Sequence, residues 1–469
     1  MSPISTSVSY TRRIIGYYRD REYFNQLLEL GVPISLQSLV MSSLNMVGLL
    51  MIGQKGDVAV AAVGLANQLF FLFTLTIFGI TSGTAMFTAQ LWGKRDIKNI
   101  RNVLGLSLVM SFVISIVFTI LAEYFPKNIL AIYSDDWLVI ELGSVYLRIY
   151  GWSFLFYAIT AGFCAVHRSI GNVRLPLIFN VFALSLNTLL SFILIFGKLG
   201  IPALGVQGAA LAALISRIRE CIGLLAATYL IKSPIAAGLK ELTSIDLHFA
   251  SKVLKPVIPV ALNEFLWSMG ITAYNVVYAR IGTESIASIN IINAMDVLAY
   301  VFFTGISNAT AIMVGNAIGA GQEKKAYTYA GRSLGLSAIS GIFVGGIVLF
   351  GSDKILELYK VTPIVIENSH RILHILGLML WLRAMNSALV VGILRGGGDT
   401  KFCLFLDGII IWIVGVPMAF TGAFILHLPV YWVYLMVMSE EICKWVFGMQ
   451  RYFSRKWIHN LAQTIVANV

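Results

Sequence analysis

The sequence predicts an all-α polytopic membrane protein, with twelve transmembrane helices in two pseudo-symmetric six-helix lobes. Three observations carry that expectation. The 469 residues are 58% hydrophobic and only 12% charged, and the mean hydropathy of +0.82 lies far above the soluble range. Two stretches 226 residues apart align without a gap: Pro33-Ile34-Ser35-Leu36-Gln37 falls on Pro259-Val260-Ala261-Leu262-Asn263, Asn67 on Asn293, Gly79 on Gly305 and Gly93 on Gly319. At an offset of 227, Arg168, Gly171 and Asn180 fall on Arg395, Gly398 and Asp407. Third, the cationic residues cluster on alternate loops.

The spans follow in order. Runs such as 102–122, 328–350 and 401–424 reach the roughly 20 apolar residues that cross a bilayer. The full set is 30–53, 58–91, 101–124, 137–167, 174–197, 204–231, then 256–280, 285–318, 326–350, 366–394, 401–424 and 429–451. Helices are expected because lipid offers no partner to an open strand edge. A barrel would alternate over about 10 residues, and these runs do not. The lobes are 1–231 and 256–469, joined by a polar linker over 232–255. Six spans per half give both halves one membrane orientation, so their symmetry axis runs along the membrane normal. Pairs such as Gly79/Gly83 and Gly305/Ala309 are spaced for close helix packing.

The net charge of +11 is a topology signal, not a nucleic-acid footprint. Arg12, Arg13, Arg19 and Arg21 precede span 1. Lys94, Arg95, Lys98 and Arg101 follow span 2. Lys324, Lys325 and Arg332 follow span 8, and Arg451, Arg455 and Lys456 follow span 12. The positive-inside bias places both termini in the cytoplasm and the protein in the inner membrane, with attraction to anionic membrane lipids. Residues 1–28 read as an amphipathic lead-in along the surface and not as a cleavable signal peptide. Cys164, Cys221, Cys403 and Cys443 lie within spans, without metal spacing.

Acids inside a bilayer are costly and read first as functional. Glu264 in span 7, Asp296 in span 8 and Asp407 in span 11 have no evident partner on their own helices. Their repeat mates are Ser38, Phe70 and Asn180, so duplication left acids in one half only. A desolvated carboxylate can carry a proton, or supply the charge of a Na⁺ site with neutral oxygens around it. Asn263, Asn293 and Tyr300 are candidate donors, and Asn293, Asp296 and Tyr300 share one helix face. Glu264, Trp267, Ile271, Tyr274 and Tyr278 form a second stripe, suited to a flat cation or to packing. Arg383 is a candidate partner for Asp407. Arg217/Glu220 and Glu440/Lys444 are spaced to pair on their own helices, which favours a structural or cytoplasmic-gate role. His167, His370 and His374 read as satisfied or surface histidines. No phosphate-cradling loop, zinc-protease pair or nucleophile elbow is present, so neither an enzyme nor an ATP-driven pump is expected.

Three segments carry a family resemblance: Pro33–Phe70, the stretch Gly392–Pro417 (GILRGGGDTKFCLFLDGIIIWIVGVP), and Val314–Gly321. Together, and repeated, they resemble the multidrug and toxic compound extrusion (MATE) family. The resemblance implies a V-shaped pair of lobes and export of amphipathic, often cationic compounds in exchange for H⁺ or Na⁺, with no other cofactor. Where many bacterial members carry a first-span Asp, this chain has Gly48. Two further acid positions of the family fall on Trp267 and near Ala384. Coupling therefore rests on Glu264, Asp296, Asp407, Asn293 and Asn263, with Na⁺ the one metal ion considered. Substrate contacts are expected from Trp267, Tyr274, Tyr300, Gln37 and Asn180, in a monomer. A lipid-linked precursor flippase shares the architecture, with Arg148, Arg371 and Arg383 as the cations it would need. A channel would show a filter loop, which is not evident here.

Overall fold

Apolar segments that must satisfy their backbone in lipid fold as helices. The computed structural model describes residues 20–243, 246–357, 359 and 361–466, and no strand occurs among them. The helices are α1 Arg21–Gly53, α2 Asp57–Gly93, α3 Ile97–Tyr124, α4 Trp137–Gly151, α5 Ser153–Ser169, α6 Arg174–Phe196, α7 Gly205–Leu230, α8 Leu247–Ile281, α9 Thr283–Gly319 and α10 Glu323–Leu356. Then come α11 Pro363–Arg395 and α12 Thr400–Ile425, α13 Val430–Val437 and α14 Ser439–Phe453.

Among the described residues eight helices are long and apolar enough to cross a membrane, nine when the α4–α5 pair, bent by 46°, is one crossing. The other three expected spans are α7, α8 and α13–α14. All are helical, and each carries charge: Arg217, Arg219 and Glu220; Lys252, Lys255 and Glu264; Glu440, Glu441 and Lys444. Large side chains face outward on several spans, among them Phe350, Phe343 and Ile413, as lipid contact allows.

Two boundaries and the winding of two helices differ from the sequence expectation. Of the lead-in, residues 1–19 lie outside the described residues, whereas 21–28 already belong to α1, with Tyr23 and Leu27 buried. The linker 232–255 holds a short helix, Leu239–Thr243, and its last nine residues are the first turns of α8. The α11 and α12 crossings contain π-helical turns at Ala388–Arg395, Leu404–Ile409, Ile411–Gly415 and Thr421–Ile425, a feature frequent at functional sites.

The chain forms two compact units. Of the described residues, the late unit comprises Leu266–Leu461 with 20–35, and the early unit comprises Leu36–Phe265 with 462–466. The cuts fall inside α1 and α8, so the opening turns of each half's first helix pack with the other half's helices. One contact explains how. In the early unit, a side chain on Gly79 would sit 2.7 Å from the Ala261 backbone. In the late unit, a side chain on Gly305 would strike the Ser35 hydroxyl and lie 2.6 Å from the Gly31 carbonyl. Gly79 and Gly305 are repeat mates, and so are Ala261 and Ser35. Duplication copied one small-residue crossing into both units.

The early unit's core stacks Phe73 on Phe154 at 4.6 Å, with Phe70, Tyr150 and Tyr157 around them. The late unit's core centres on Leu373, Leu376, Leu380, Ile411 and Val433. The start of α1 is held to α10 by polar contacts: Arg332 Nη1 donates to Asp20 at 2.5 Å, Lys325 pairs with Glu22 at 2.8 Å, and Tyr23 shares a hydrogen bond with Ser333. The hydrogen bond from Arg332 holds the Asp20 carboxyl below its ordinary value.

Two outcomes follow. Gly305→Ala lowers the melting temperature in detergent, by about 1–3 kcal/mol of overpacking. Gly346→Ala, with nothing within 4 Å of the new carbon, does not. The Asp20 contribution is present above the unfolded carboxylate value near 3.8 and is lost as pH falls through the lowered folded value. The melting-temperature gap between wild type and Asp20→Asn is therefore wide at neutral pH and closes in strong acid.

Candidate functional site

The late unit brings together six of its ionisable groups, Asp296, Arg383, Asp407, Glu440, Glu441 and Lys444. Arg383 on α11 donates from Nη1 to Asp296 on α9 at 2.5 Å, and its Nε lies 3.9 Å from Glu441 on α14. Asn386, one turn further along α11, donates to the Glu441 carboxylate at 2.7 Å and to its carbonyl at 2.8 Å. Lys444 on α14 holds Asp407 of α12 at 2.7 Å and Glu440 at 2.5 Å. Tyr274 of α8 donates its hydroxyl to the second Glu440 oxygen. Four carboxylates thus face two cations. Lys444 and Glu440 are nearly inaccessible, with side chains 4% and 5% exposed.

Local sequence makes these approaches possible. Glu440 and Lys444 share a face by their four-residue spacing. Asp407 sits in the π-helical stretch Leu404–Ile409. Gly415 closes the next π-helical stretch, and a side chain there would run into the Tyr274 hydroxyl and lie 2.5 Å from Glu440 Oε2. Only glycine lets α12 pass this close.

The sequence-predicted residues divide. Asp296 and Asp407 enter the network, but neither stands alone: each has a basic partner. Arg383, expected beside Asp407, serves Asp296, because Lys444 already occupies Asp407. Glu264 is 8% exposed and Asn263 fully buried; both belong to the early unit, and the two aspartates belong to the late one. No group of three His, Cys, Asp or Glu arranged for a metal ion occurs among the described residues. The proposed Na⁺ set of Glu264, Asp296 and Asp407 therefore does not form one cluster of this kind. Asn293 and Tyr300 are exposed. Tyr274 and Tyr278 are core residues packed with half-buried Trp267, so that stripe is packing and not an open ligand face. Gln37 is buried, and Asn180 donates to the Pro176 carbonyl at 3.1 Å. Of the cations named for a flippase, Arg371 pairs with Glu367 at 2.6 Å on its own helix and Arg383 is held by Asp296. His167 is buried against Thr228, and His370 pairs with Asp353.

The early unit holds a feature that the sequence did not single out. A cavity of about 250 Å³ opens among α1, α2 and α4–α7, walled by Phe70, Tyr150, Tyr157, Asn187, Ser216 and Arg217. Arg217 Nη1 donates to Glu220 at 2.6 Å, and the guanidinium lies 5.1 Å over the Tyr157 ring. Among the described residues, no carboxylate lines this wall. The Arg217/Glu220 spacing was legible; the three aromatic rings it points among come from three helices and carry no local signal.

Stacked helices of a repeated half, with paired charge inside, define a multi-pass membrane transporter. Comparison with known proteins agrees. The MatE family model matches residues 33–193 and 259–421, and the chain belongs to that family. It is 25% identical over 438 residues to an uncharacterized transporter, YisQ, of Bacillus subtilis, covering 92% of this chain and 94% of that one. It is 24% identical over 437 residues to a probable multidrug resistance protein, NorM, of Thermotoga maritima, covering 93% of each. A MOP superfamily transporter from Pyrococcus furiosus shares the fold, with a TM-score of 0.83 over 92% of this chain and 96% of that one at 20% identity.

Arg383 and Asp296 are half-buried, with side chains 22% and 25% exposed, and removing one of them leaves the other charge stranded in apolar surroundings. Arg383→Leu therefore collapses the yield of monodisperse protein on fluorescence-detected size exclusion. Adding Asp296→Leu to it recovers part of that yield. Wild-type yield from the single variant contradicts the pairing.

Proposed function

We propose that the protein is a proton-coupled exporter of amphipathic organic compounds, working by alternating access in the cytoplasmic membrane with both termini inside. The observation that carries the reading is the surplus of acid in the late unit: Asp296, Glu440, Glu441 and Asp407 share Arg383 and Lys444. Unbalanced negative charge inside a bilayer is costly, and a proton bound to the network relieves it. Relatives named as multidrug resistance proteins support the export reading.

A proton suits the site better than Na⁺. A hard cation needs a shell of several oxygens, and here the carboxylates are already engaged by lysine, arginine, tyrosine or asparagine donors. Proton arrival at Glu440 or Glu441 changes what Lys444, Tyr274, Asn386 and Arg383 bind, on α14, α8 and α11. Those helices then prefer a different packing. Transport is coupled if substrate and proton favour opposite packings. Glu264, buried in the early unit on the same helix as Tyr274, is a second candidate carrier.

Efflux from proteoliposomes under an imposed pH gradient, then under a Na⁺ gradient at equal pH, tests this. The pH gradient accelerates efflux and the Na⁺ gradient does not. Glu440→Gln and Glu441→Gln lose the pH dependence while keeping gradient-free substrate exchange. Efflux driven only by Na⁺, or full pH dependence in both variants, contradicts the assignment. Glu264→Gln abolishes drug resistance in a sensitive host at unchanged expression; wild-type resistance removes Glu264 from the mechanism.

A further inference from the structure

We propose that the early unit's cavity is a binding site for an organic anion, an aromatic carboxylate by preference, with Arg217 as the residue that selects its charge. The inference rests on the export reading in one respect: it names the class of compound carried.

The charge on the wall comes first. Among the described residues, Arg217 is the one charged residue that lines the cavity. Its counter-ion Glu220 lies behind it, fully buried and off the wall. Among the described residues, Glu220 is the only hydrogen-bond partner of Arg217, and it takes one nitrogen of the fork. The guanidinium keeps donors for a second, planar acceptor, and a carboxylate matches that geometry. A cationic ligand would meet a like charge at the same place. The cationic substrate that the family resemblance implies is therefore a poor fit to this cavity.

Unsatisfied polar groups come second. Ser216 is 2% exposed, yet its hydroxyl has no hydrogen-bond partner, and the same holds for Asn187 Oδ1. Both line the cavity. Buried polar atoms left without partners are costly; the Ser216 hydroxyl would donate to a bound carboxylate, whereas Asn187 Oδ1 only accepts and is not served by the anion. Thr74 does not serve, because its hydroxyl already bonds the Phe71 carbonyl at 2.8 Å.

Shape comes third. Phe70 meets Tyr157 edge-on at 5.6 Å and lies 5.1 Å from Tyr150. These rings form an aromatic wall beside the guanidinium. A flat ring with one carboxylate uses both surfaces, and the volume suits a compound of one or two rings.

The test uses three compounds of one shape on detergent-purified full-length protein: 2-naphthoate, 2-naphthylmethylammonium and 2-naphthalenemethanol, by titration calorimetry. Naphthoate binds at least about tenfold tighter than either of the others, the scale of one charge-assisted hydrogen bond. The double variant Arg217→Gln with Glu220→Gln, which strands no charge, loses that preference at unchanged melting temperature. Arg217→Lys retains part of it. Equal or tighter binding of the ammonium or the alcohol overturns the proposal, as does a preference that survives the double variant. Should the double variant not fold, Ala213→Trp, which fills the cavity, decides: loss of naphthoate binding supports the site, and retained binding overturns it. Because no gradient is present, failed proton coupling with intact anion selection would sink the export mechanism and leave this site standing.

Discussion

A cation inside a bilayer must be neutralised where it stands, and the late unit is built around two of them. Arg383 and Lys444 each hold a pair of acids, and five helices contribute to those contacts. Breaking any one strand of this network strands charge in a medium that cannot solvate it. That constraint explains why α14 tolerates three ionisable residues in five positions. It also explains Gly415, where the absence of a side chain lets α12 approach Tyr274 and Glu440.

The duplication supplies the frame, and divergence supplies the chemistry. At the 227-residue offset that places Pro202 on Pro429, Arg217 falls on Lys444 and Asn180 on Asp407. Both units thus keep one cation at the corresponding place. In the late unit it is surrounded by acids; in the early unit it has a single acid behind it and an aromatic cavity in front. On the two proposals made above, one ancestral half has yielded an ion-handling unit and a ligand-handling one.

Much of this was legible in the chain. Hydrophobic run length gave the helices, and the gapless repeat gave the two related halves. The small-residue spacing at Gly79 and Gly305 marked the close crossings, though not that each would receive the opposite half's first helix. Family membership followed from segments of the same repeat. The site was only half visible. Asp296 and Asp407 were found because an acid in an apolar run is conspicuous. Their pairing was not, because Arg383 and Lys444 lie 87 and 37 residues away: Arg383 was matched to Asp407 instead of Asp296, and Lys444 to Glu440 alone. The four-residue spacing of Glu440 and Lys444 suggested a closed local pair and concealed the link to Asp407. Tyr274 looked like ligand surface because helical spacing alone does not say which side faces the core.

The claim on which the rest turns is that this network binds and releases a proton. Infrared difference spectroscopy of the purified protein, between acidic and alkaline buffer, reads it directly. The account predicts a protonated-carboxyl band that appears on acidification and is lost when Glu440 and Glu441 are both changed to Gln. A wild-type spectrum with no such band, or one unchanged by the double substitution, would contradict it.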